Sequence, residues 1–195
     1  MTKPLDRRSE ILERIADHIL EHGLIASSLR PLAKAAQTSD RMLLYYFRDK
    51  AEIMAGALEV VAARMVTLMN AHAAPAPLPY DMLMPQLLAA LGDDAFWPYM
   101  CVWLEIASRA ARGDPFYLGV GEAIGRGFVA WGAAQISVVD EADREALAAR
   151  LLVTVEGMVL LKSIGLGDVA ALGVEGPKAP APYPPQPQTS RDNQG

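Results

Sequence analysis

The feature that most constrains the fold is an apolar repeat near the amino end of the chain, closed by a glycine. Ile11, Ile15 and Ile19 recur at helical spacing within residues 7–22, and Gly23 follows directly. Apolar residues three or four positions apart form one face of a helix, and a glycine after the last of them is typical of a helix end. We therefore predict an amphipathic helix over residues 7–22.

A second, shorter helix is predicted over residues 29–36. Ser27 or Ser28 caps its amino end, because a serine hydroxyl accepts a hydrogen bond from an N–H of the first turn. Pro31 fits this boundary, since the N–H that proline lacks has no helical partner in the first turn. The apolar residues of this segment share one face: Leu29, Leu32, Ala33 and Ala36.

A tight connection and two further helices follow. Gln37 and Thr38 form the connection, and Ser39 caps a third helix, whose apolar residues are Leu43, Leu44 and Phe47. Asp49 caps a long helix over residues 50–70. Two short helices joined by a tight turn, behind a supporting helix, are the arrangement that places a recognition helix in the major groove of DNA.

The rest of the chain is also predicted to be helical, so the fold class is all-α. Hydrophobic residues make up 52% of the chain and aromatic residues only 7%, a composition that favours helices over a sheet. Three prolines place the segment AHAAPAPLPY in a loop. Helices are predicted over residues 80–91, 96–112, 116–136 and 141–163. Residues 174–195 are rich in Pro and Gln, which predicts a disordered tail.

The charge is distributed unevenly along the chain. The net charge is −5, yet residues 1–50 carry nine Lys and Arg against seven Asp and Glu, whereas the remainder carries nine against sixteen. A slightly basic amino end before an acidic body suits a protein that contacts phosphates with one end only.

Other classes of protein receive little support from the sequence. Cys101 is the only cysteine, which excludes an intrachain disulfide, and charges interrupt any signal peptide, so we expect a cytoplasmic protein. Residues 151–166 are too short and too charged to span a membrane. His18 and His22 form a possible metal pair, but no third ligand has helpful spacing. We expect neither an enzyme nor a cofactor; the alternative is a helical interaction protein or small enzyme without DNA binding.

The segment from Ser27 to Ile53 reads SSLRPLAKAAQTSDRMLLYYFRDKAEI and resembles the tetracycline-repressor family of transcriptional regulators. The resemblance covers residues 7–55 and rests on a capped helix with paired alanines, a serine cap, an aromatic pair, Phe47 and a lysine that opens the next helix. It implies a helix-turn-helix DNA-binding domain over residues 1–50. A helical domain for effector binding and dimerisation would cover residues 51–173.

The resemblance also implies which residues contact DNA. Helix amino ends and hydroxyls bind phosphate, while arginine reads guanine. Carried over position by position, the contacts are Ser28, Thr38, Ser39, Arg41, Met42, Tyr45, Tyr46 and Lys50, whereas Leu43 and Phe47 belong to the core.

Three positions depart from the family pattern. Asp40 and Arg41 stand where the family commonly has Lys and Gly, and Gln37 replaces a glycine of the turn. Asp40 either accepts a hydrogen bond from a cytosine amino group or complements the helix dipole. Gln37 must adopt a backbone conformation that glycine adopts at lower cost.

For the body, the resemblance implies a homodimer and an apolar or amphipathic effector whose binding releases a repressor from its operator. Soft and aromatic side chains suggest an effector pocket formed by Met65, Trp97, Met100, Trp103, Leu104 and Phe128. A dimer interface is expected on the last long helix at Leu152, Val155 and Val159, with glycines of the preceding helix allowing close packing. Glu105 and Glu156 lie in apolar stretches and need partners if buried, either a ligand group or an arginine such as Arg109.

Overall fold

The computed structural model describes residues 4–175, and within this range the chain is all-α, as predicted. No strand occurs in residues 4–175, where an isolated bridge pairs Leu78 with Ile136. The helices of this range are α1 (Pro4–His22), α2 (Leu29–Ala35), α3 (Asp40–Tyr46), α4 (Lys50–Ala71), α5 (Tyr80–Leu91), α6 (Trp97–Ala111), α7 (Pro115–Gln135), α8 (Ala142–Ser163) and α9 (Gly167–Glu175).

The helices α1, α2, α3 and the first part of α4 pack around one hydrophobic core, here called the head core. Ile11, Ile15 and Ile19 are buried in it, as the periodicity of the first helix predicts. Leu43 and Phe47 are also buried there, which confirms both as core residues. Burying one such side chain contributes about 1.5–3 kcal/mol.

Ion pairs join α1 to α4 at the surface of the head. Arg8 Nη2 lies 2.5 Å from Glu52 Oε1, and the Arg8 guanidinium also lies over the ring of Phe47. Further along α4, Arg64 pairs with Glu13 and Asp17 of α1. Exposed pairs of this kind each contribute less than about 1 kcal/mol, so they orient two helices that the core already holds together.

A second core, here called the body core, lies among α5, α6, α8 and the ends of α4 and α7. Phe96, Ile136 and Leu151 are its most deeply buried large side chains. A Cβ added at Gly132 of α7 would lie 2.8 Å from Leu151 Cδ2, so this glycine allows α7 and α8 to pack closely within one chain.

The two cores meet at α6. Val102 and Ile106 of α6, together with Tyr117 of α7, belong to the head core although they lie far along the chain from the first four helices. The domain boundary predicted at residue 50 therefore separates two parts of the sequence that share one hydrophobic core, and the head packs directly on the body.

The carboxyl end contains a helix that the periodicity does not predict. Two glycines follow α8 closely and mark a stop, yet α9 begins at Gly167 and buries Ala170. The helix α9 continues to Glu175, and its last two residues fall within the tail predicted to begin at residue 174. The rest of the predicted tail, residues 176–195, lies outside the described residues. Among the helices of residues 4–175, none is long and apolar enough to cross a membrane.

Candidate DNA interface and interior cavity

The connection between α2 and α3 is held in a strained conformation at Gln37. Its φ angle is +53°, which confirms the prediction for this departure from glycine. A left-handed backbone costs a residue with a side chain about 1–2 kcal/mol. Neighbouring hydrogen bonds fix the turn: Thr38 N–H donates to the Ala33 carbonyl at 2.9 Å, and Arg14 Nη1 donates to Gln37 Oε1 at 2.7 Å.

Side-chain caps set the starts of the helices at this interface. Ser39 Oγ accepts a hydrogen bond from Met42 N–H at 3.2 Å, and an Asp49 carboxylate oxygen accepts one from Glu52 N–H at 2.8 Å. These bonds confirm both predicted caps. Ser28 precedes α2 with an extended backbone but makes no side-chain cap hydrogen bond. Its exposed hydroxyl is available to an outside acceptor such as a phosphate oxygen.

The outward face of α3 lies opposite Leu43, whose side chain is fully buried. Arg41 and Tyr45 occupy the centre of this face, and Tyr45 is 77% exposed. Met42 and Leu44 flank them and are partly exposed, although Leu44 is as apolar as the buried Leu43 beside it. On a helix of seven residues that packs on one side only, Leu44 lies too far round from Leu43 to share its contacts.

Tyr46 differs from the other predicted contacts on α3. It is half-buried and packs against the head core, and its ring meets that of Tyr45 edge to face at 5.2 Å. Edge-to-face packing stabilises an aromatic pair. The structure therefore gives Tyr46 a supporting position behind Tyr45, with part of its surface on the outward face.

Exposed cations lie on each of the helices α2, α3 and α4. Arg30 and Lys34 of α2, Arg41 of α3 and Lys50 of α4 form no ion pair with any residue in the range 4–175. Asp40 is an exposed acidic residue in the first turn of α3, where its negative charge interacts favourably with the helix dipole. The arrangement can bind a polyanion, since several unpaired cations share one surface with helix amino ends.

His18 and His22, the pair considered for metal binding, contact each other edge to face at 4.6 Å. His18 Nε2 lies 3.3 Å from the carbonyl oxygen of Ala26, to which it donates a hydrogen bond. Within residues 4–175, no group of three or more His, Cys, Asp or Glu side chains is arranged to hold a metal ion.

A largely apolar cavity of about 590 Å³ lies between α4, α6, α7 and α8. Four of the six residues predicted for an effector pocket line it: Met65, Met100, Trp103 and Phe128. Tyr99, Leu58, Val102 and Ile106 also line it and were not predicted. This volume accommodates a drug-sized molecule.

Trp97 and Leu104, the other two residues predicted for the pocket, do not line the cavity. Both pack against the body core, and Lys162 Nζ lies 4.7 Å from the centre of the Trp97 ring. Trp97 lies six residues before Trp103 and Leu104 lies one residue after it. At about 100° per residue, both spacings point to the same side of α6, roughly a third of a turn away from Trp103. The segment FWPYMCVWLE is apolar around most of its circumference, which hides this difference in the sequence.

The glycines of α7 form part of the cavity wall. Gly119, Gly125 and Gly127 line it, and a Cβ added at any of them would meet nothing within 4 Å. From the sequence, the glycines of this helix are expected to allow close packing in a dimer. Gly132 alone shows close packing of that kind, and it does so against α8 of the same chain. Glycine is unfavourable inside a helix, so the cluster of glycines in the sequence of α7 is the feature that could have indicated a functional role for this helix.

One half-buried carboxyl group lines the cavity. Glu156 of α8 lines it, and its Oε2 accepts a hydrogen bond from Trp103 Nε1 at 2.6 Å. Burial raises the pKa of Glu156, while the hydrogen bond from Trp103 acts in the opposite direction. Glu156 is predicted to need a partner if buried, and its partner is an indole N–H rather than an arginine.

The helix α6 connects the cavity to the head. Val102 and Ile106 line the cavity and belong to the head core at the same time. On the same helix, Glu105 Oε2 accepts a hydrogen bond from Leu24 N–H, in the turn that follows α1. Glu105 thus has the partner that the sequence requires, while Arg109 lies over the ring of Tyr117.

Two of the three residues predicted for a dimer interface, Val155 and Val159, are buried within the single chain, and Leu152 is partly buried. Leu152 and Val155 line the cavity, and Val155 and Val159 are buried in the body core. A different face of α8 is exposed and apolar; it comprises Ala149, Val153, Gly157 and Leu160 and is continued by Ile164 directly after the helix. Because α8 is apolar on two faces, its sequence does not show which face the chain covers.

Comparison with known proteins supports the fold. The chain is 29% identical over 115 residues to the HTH-type transcriptional repressor AcnR of Corynebacterium glutamicum. The match covers 59% of this chain and 56% of that protein, so the chain matches little more than half the length of this relative. No protein-family model matches the chain.

Two solved structures share the fold along most of the chain. A transcriptional regulator from Rhodococcus sp. Rha1 has a TM-score of 0.64 at 24% identity, with 87% of each chain covered. Salmonella enterica GusR has a TM-score of 0.61 at 21% identity, with 88% of this chain and 90% of that chain covered. These likenesses show that the chain has the all-helical fold of the two solved structures.

Proposed function

We propose that this protein is a transcriptional regulator that binds an operator through α3 and is released from it by a small apolar or amphipathic effector. The observation that carries the proposal is the outward face of α3, where Arg41 and Tyr45 stand opposite the buried Leu43. We propose that it acts in the cytoplasm. Repression is favoured over activation because AcnR, the curated relative, is named a repressor.

Contacts to DNA fall into two groups. Arg41, Met42 and Tyr45 face outward on α3 and are proposed to reach base edges, since arginine can take guanine in a bidentate manner and apolar groups contact the thymine methyl. Leu44 joins this group because it is half-exposed on the same helix. The remaining predicted contacts are proposed to bind the phosphate backbone: Ser28, Thr38, Ser39 and Lys50, with a partial contribution from Tyr46.

A homodimer is proposed to bring two such heads to one operator. The exposed stripe of α8 fits this role, because Val153, Leu160 and Ile164 are large apolar side chains that more than half face solvent in the single chain. Apolar patches of this kind mark interaction surfaces. Two-fold pairing of α8 would cover the stripe and present two recognition helices to two half-sites.

The effect of the effector on DNA binding is proposed to reach the head through α6. Leu58, Val102 and Ile106 each contact both the cavity and the head core. An effector that moves α6 relative to α4 would therefore change how the head sits on the body. Differential binding of the effector to two such arrangements is the requirement for a coupled change in DNA affinity.

Retention on genomic DNA fragments, with the protein's own promoter region included, tests the proposal. We expect some fragments to be retained in preference to bulk DNA at moderate salt, and Arg41→Ala to abolish the preference. Lys50→Ala is expected to weaken binding to all fragments and to reduce the slope of log affinity against log salt by about 1.

Arg126→Ala serves as the matched control, because Arg126 is an exposed arginine on α7 that pairs with Glu122 far from α3. If no fragment is preferred and Arg41→Ala behaves like Arg126→Ala, the chain is a helical interaction protein or an enzyme and the proposal is wrong.

A further inference from the structure

The charged side chains that line the cavity all carry the same sign. Glu59 of α4 and Glu156 of α8 line it, and among the described residues no lysine, arginine or histidine does. The rest of the lining is apolar or aromatic. An anionic effector would therefore meet repulsion at both charged groups and find no basic partner in the wall.

Glu156 lacks enough partners for a charged carboxylate. The hydrogen bond from Trp103 Nε1 satisfies one acceptor site of its Oε2, and no second donor among residues 4–175 bonds to the group. A carboxylate offers about four acceptor sites, and its burial in an apolar wall is costly without a compensating charge. A cation bound beside the ionised carboxylate would compensate its charge, and none of the lining residues supplies one.

Aromatic groups lie where such a cation would bind. Trp103 is fixed in place by its bond to Glu156, and Tyr99, Phe116 and Phe128 line the same cavity. The faces of aromatic rings attract cations, most strongly when water is excluded. A carboxylate beside an aromatic ring is thus a binding site for a positively charged nitrogen.

We propose that the effector is a lipophilic cation, whose charged nitrogen lies against Glu156 and Trp103 and whose apolar body fills the cavity beside the glycines of α7. This inference rests on the proposed function, which takes the cavity as the effector site. Glu59 of α4 is exposed and also lines the cavity, so it adds a second negative charge that attracts such a molecule towards the cavity.

Calorimetric titration of the full chain with three matched naphthalene probes tests the inference. The probes are the cation (1-naphthylmethyl)trimethylammonium, the neutral 1-naphthylmethanol and the anion 1-naphthylacetate. We expect the cation to bind at least tenfold more tightly than either of the others. A primary amine, 1-naphthylmethylamine, separates charge from hydrogen bonding, because the quaternary ammonium has no N–H to donate.

Glu156→Gln keeps the size of the side chain and an acceptor for the Trp103 N–H but removes the charge. It is expected to lower the affinity for the cation at least tenfold and to leave the affinity for the neutral probe unchanged within twofold. Glu122→Gln, an exposed carboxyl on α7 outside the cavity, is the matched control and should change neither.

The inference is overturned if the neutral or anionic probe binds as tightly as the cation, if none of the probes binds, or if Glu156→Gln keeps the preference. These outcomes leave the DNA-retention result of Arg41→Ala untouched, so failure of the effector class is distinguishable from failure of the regulator function.

Discussion

Glu105 Oε2 accepts a hydrogen bond of 2.9 Å from the backbone N–H of Leu24, and this bond fastens the cavity helix α6 to the turn that ends α1. The adjoining Gly23 has a φ angle of +71°, and a Cβ added there would lie 2.2 Å from Glu105 Oε1. The carboxylate and the glycine therefore fit together, and the contact joins the part of the chain that would bind DNA to the wall of the cavity.

Removing this acceptor should loosen the turn without unfolding the head. In Glu105→Ala the amide of Leu24 loses its partner, and an unsatisfied buried donor costs about 1–3 kcal/mol. We expect faster hydrogen exchange at Leu24 and weaker operator binding, whereas Glu105→Gln, which keeps an acceptor, retains most of the protection. Equal exchange at Leu24 in the alanine variant and the wild type would contradict a role for this bond.

Neighbouring leucines on α3 should respond to substitution in opposite ways. Leu43 is fully buried, so Leu43→Ala should lower the free energy of unfolding by about 2–5 kcal/mol. Leu44 is 49% exposed, so Leu44→Ala should change stability by less than about 1 kcal/mol while reducing operator affinity. Urea unfolding and DNA titration of both variants check this, and similar stability losses would show that α3 is oriented otherwise.

The strained turn predicts a difference between two substitutions at Gln37. Both Gln37→Gly and Gln37→Ala remove the side-chain bond to Arg14, so the comparison isolates the backbone. Glycine adopts a φ angle of +53° without the penalty that alanine incurs, so the glycine variant should be about 1 kcal/mol more stable. Urea unfolding measures the difference, and an alanine variant of equal or greater stability would mean that the turn relaxes.

The exposed stripe of α8 predicts which residues hold the dimer together. Val153→Glu and Leu160→Glu place charges on a face that a second copy would cover, so sedimentation at micromolar concentration should show a monomer with normal helix content. Val159→Ala serves as the contrast, because Val159 is buried in its own chain and its truncation should cost stability without dissociating the dimer. A dimer that persists in both glutamate variants would place the interface elsewhere.

Glu156 should make stability depend on pH. Because burial raises its pKa in the folded chain above the ordinary value of 4.5, the folded state holds the proton more tightly than the unfolded state. Stability from this group is therefore fully present below pH 4.5 and is lost as the pH rises through the folded pKa.

Glu156→Gln removes that loss. The variant should melt a few degrees higher than the wild type at pH 7.5, and the difference should shrink as the pH approaches 4.5. Thermal unfolding across this range is the measurement. A variant that is less stable at neutral pH would show that the ionised carboxylate has a partner that compensates its burial.

The head could be predicted from the sequence because its signals are local. Ser39 and Asp49 cap the helices that directly follow them, and Gln37 takes the left-handed conformation expected at its place in the turn. Each of these features depends on residues no more than four positions away. The positions of Leu43 and Phe47 follow from the same short helix and its one buried face.

The body could be predicted less well because its helices are apolar on more than one side. Trp97 and Trp103 look alike in the sequence, but one packs in the body core and the other lines the cavity. Val153 and Val159 show the same ambiguity on α8, where one is exposed and the other buried. Periodicity identifies a helix, whereas the choice between two apolar faces depends on neighbours that lie far away in sequence.

The bare backbone of α7 at Gly119, Gly125 and Gly127 makes the size of the cavity adjustable one carbon at a time. Alanine or valine at these positions would grow into empty space and meet no atom within 4 Å at the first step. Single codon changes at any of the three could therefore narrow the repertoire of molecules that fit, with the helix packing around them left in place. A regulator built in this way offers a short route to new chemical responses, by natural selection or in the laboratory.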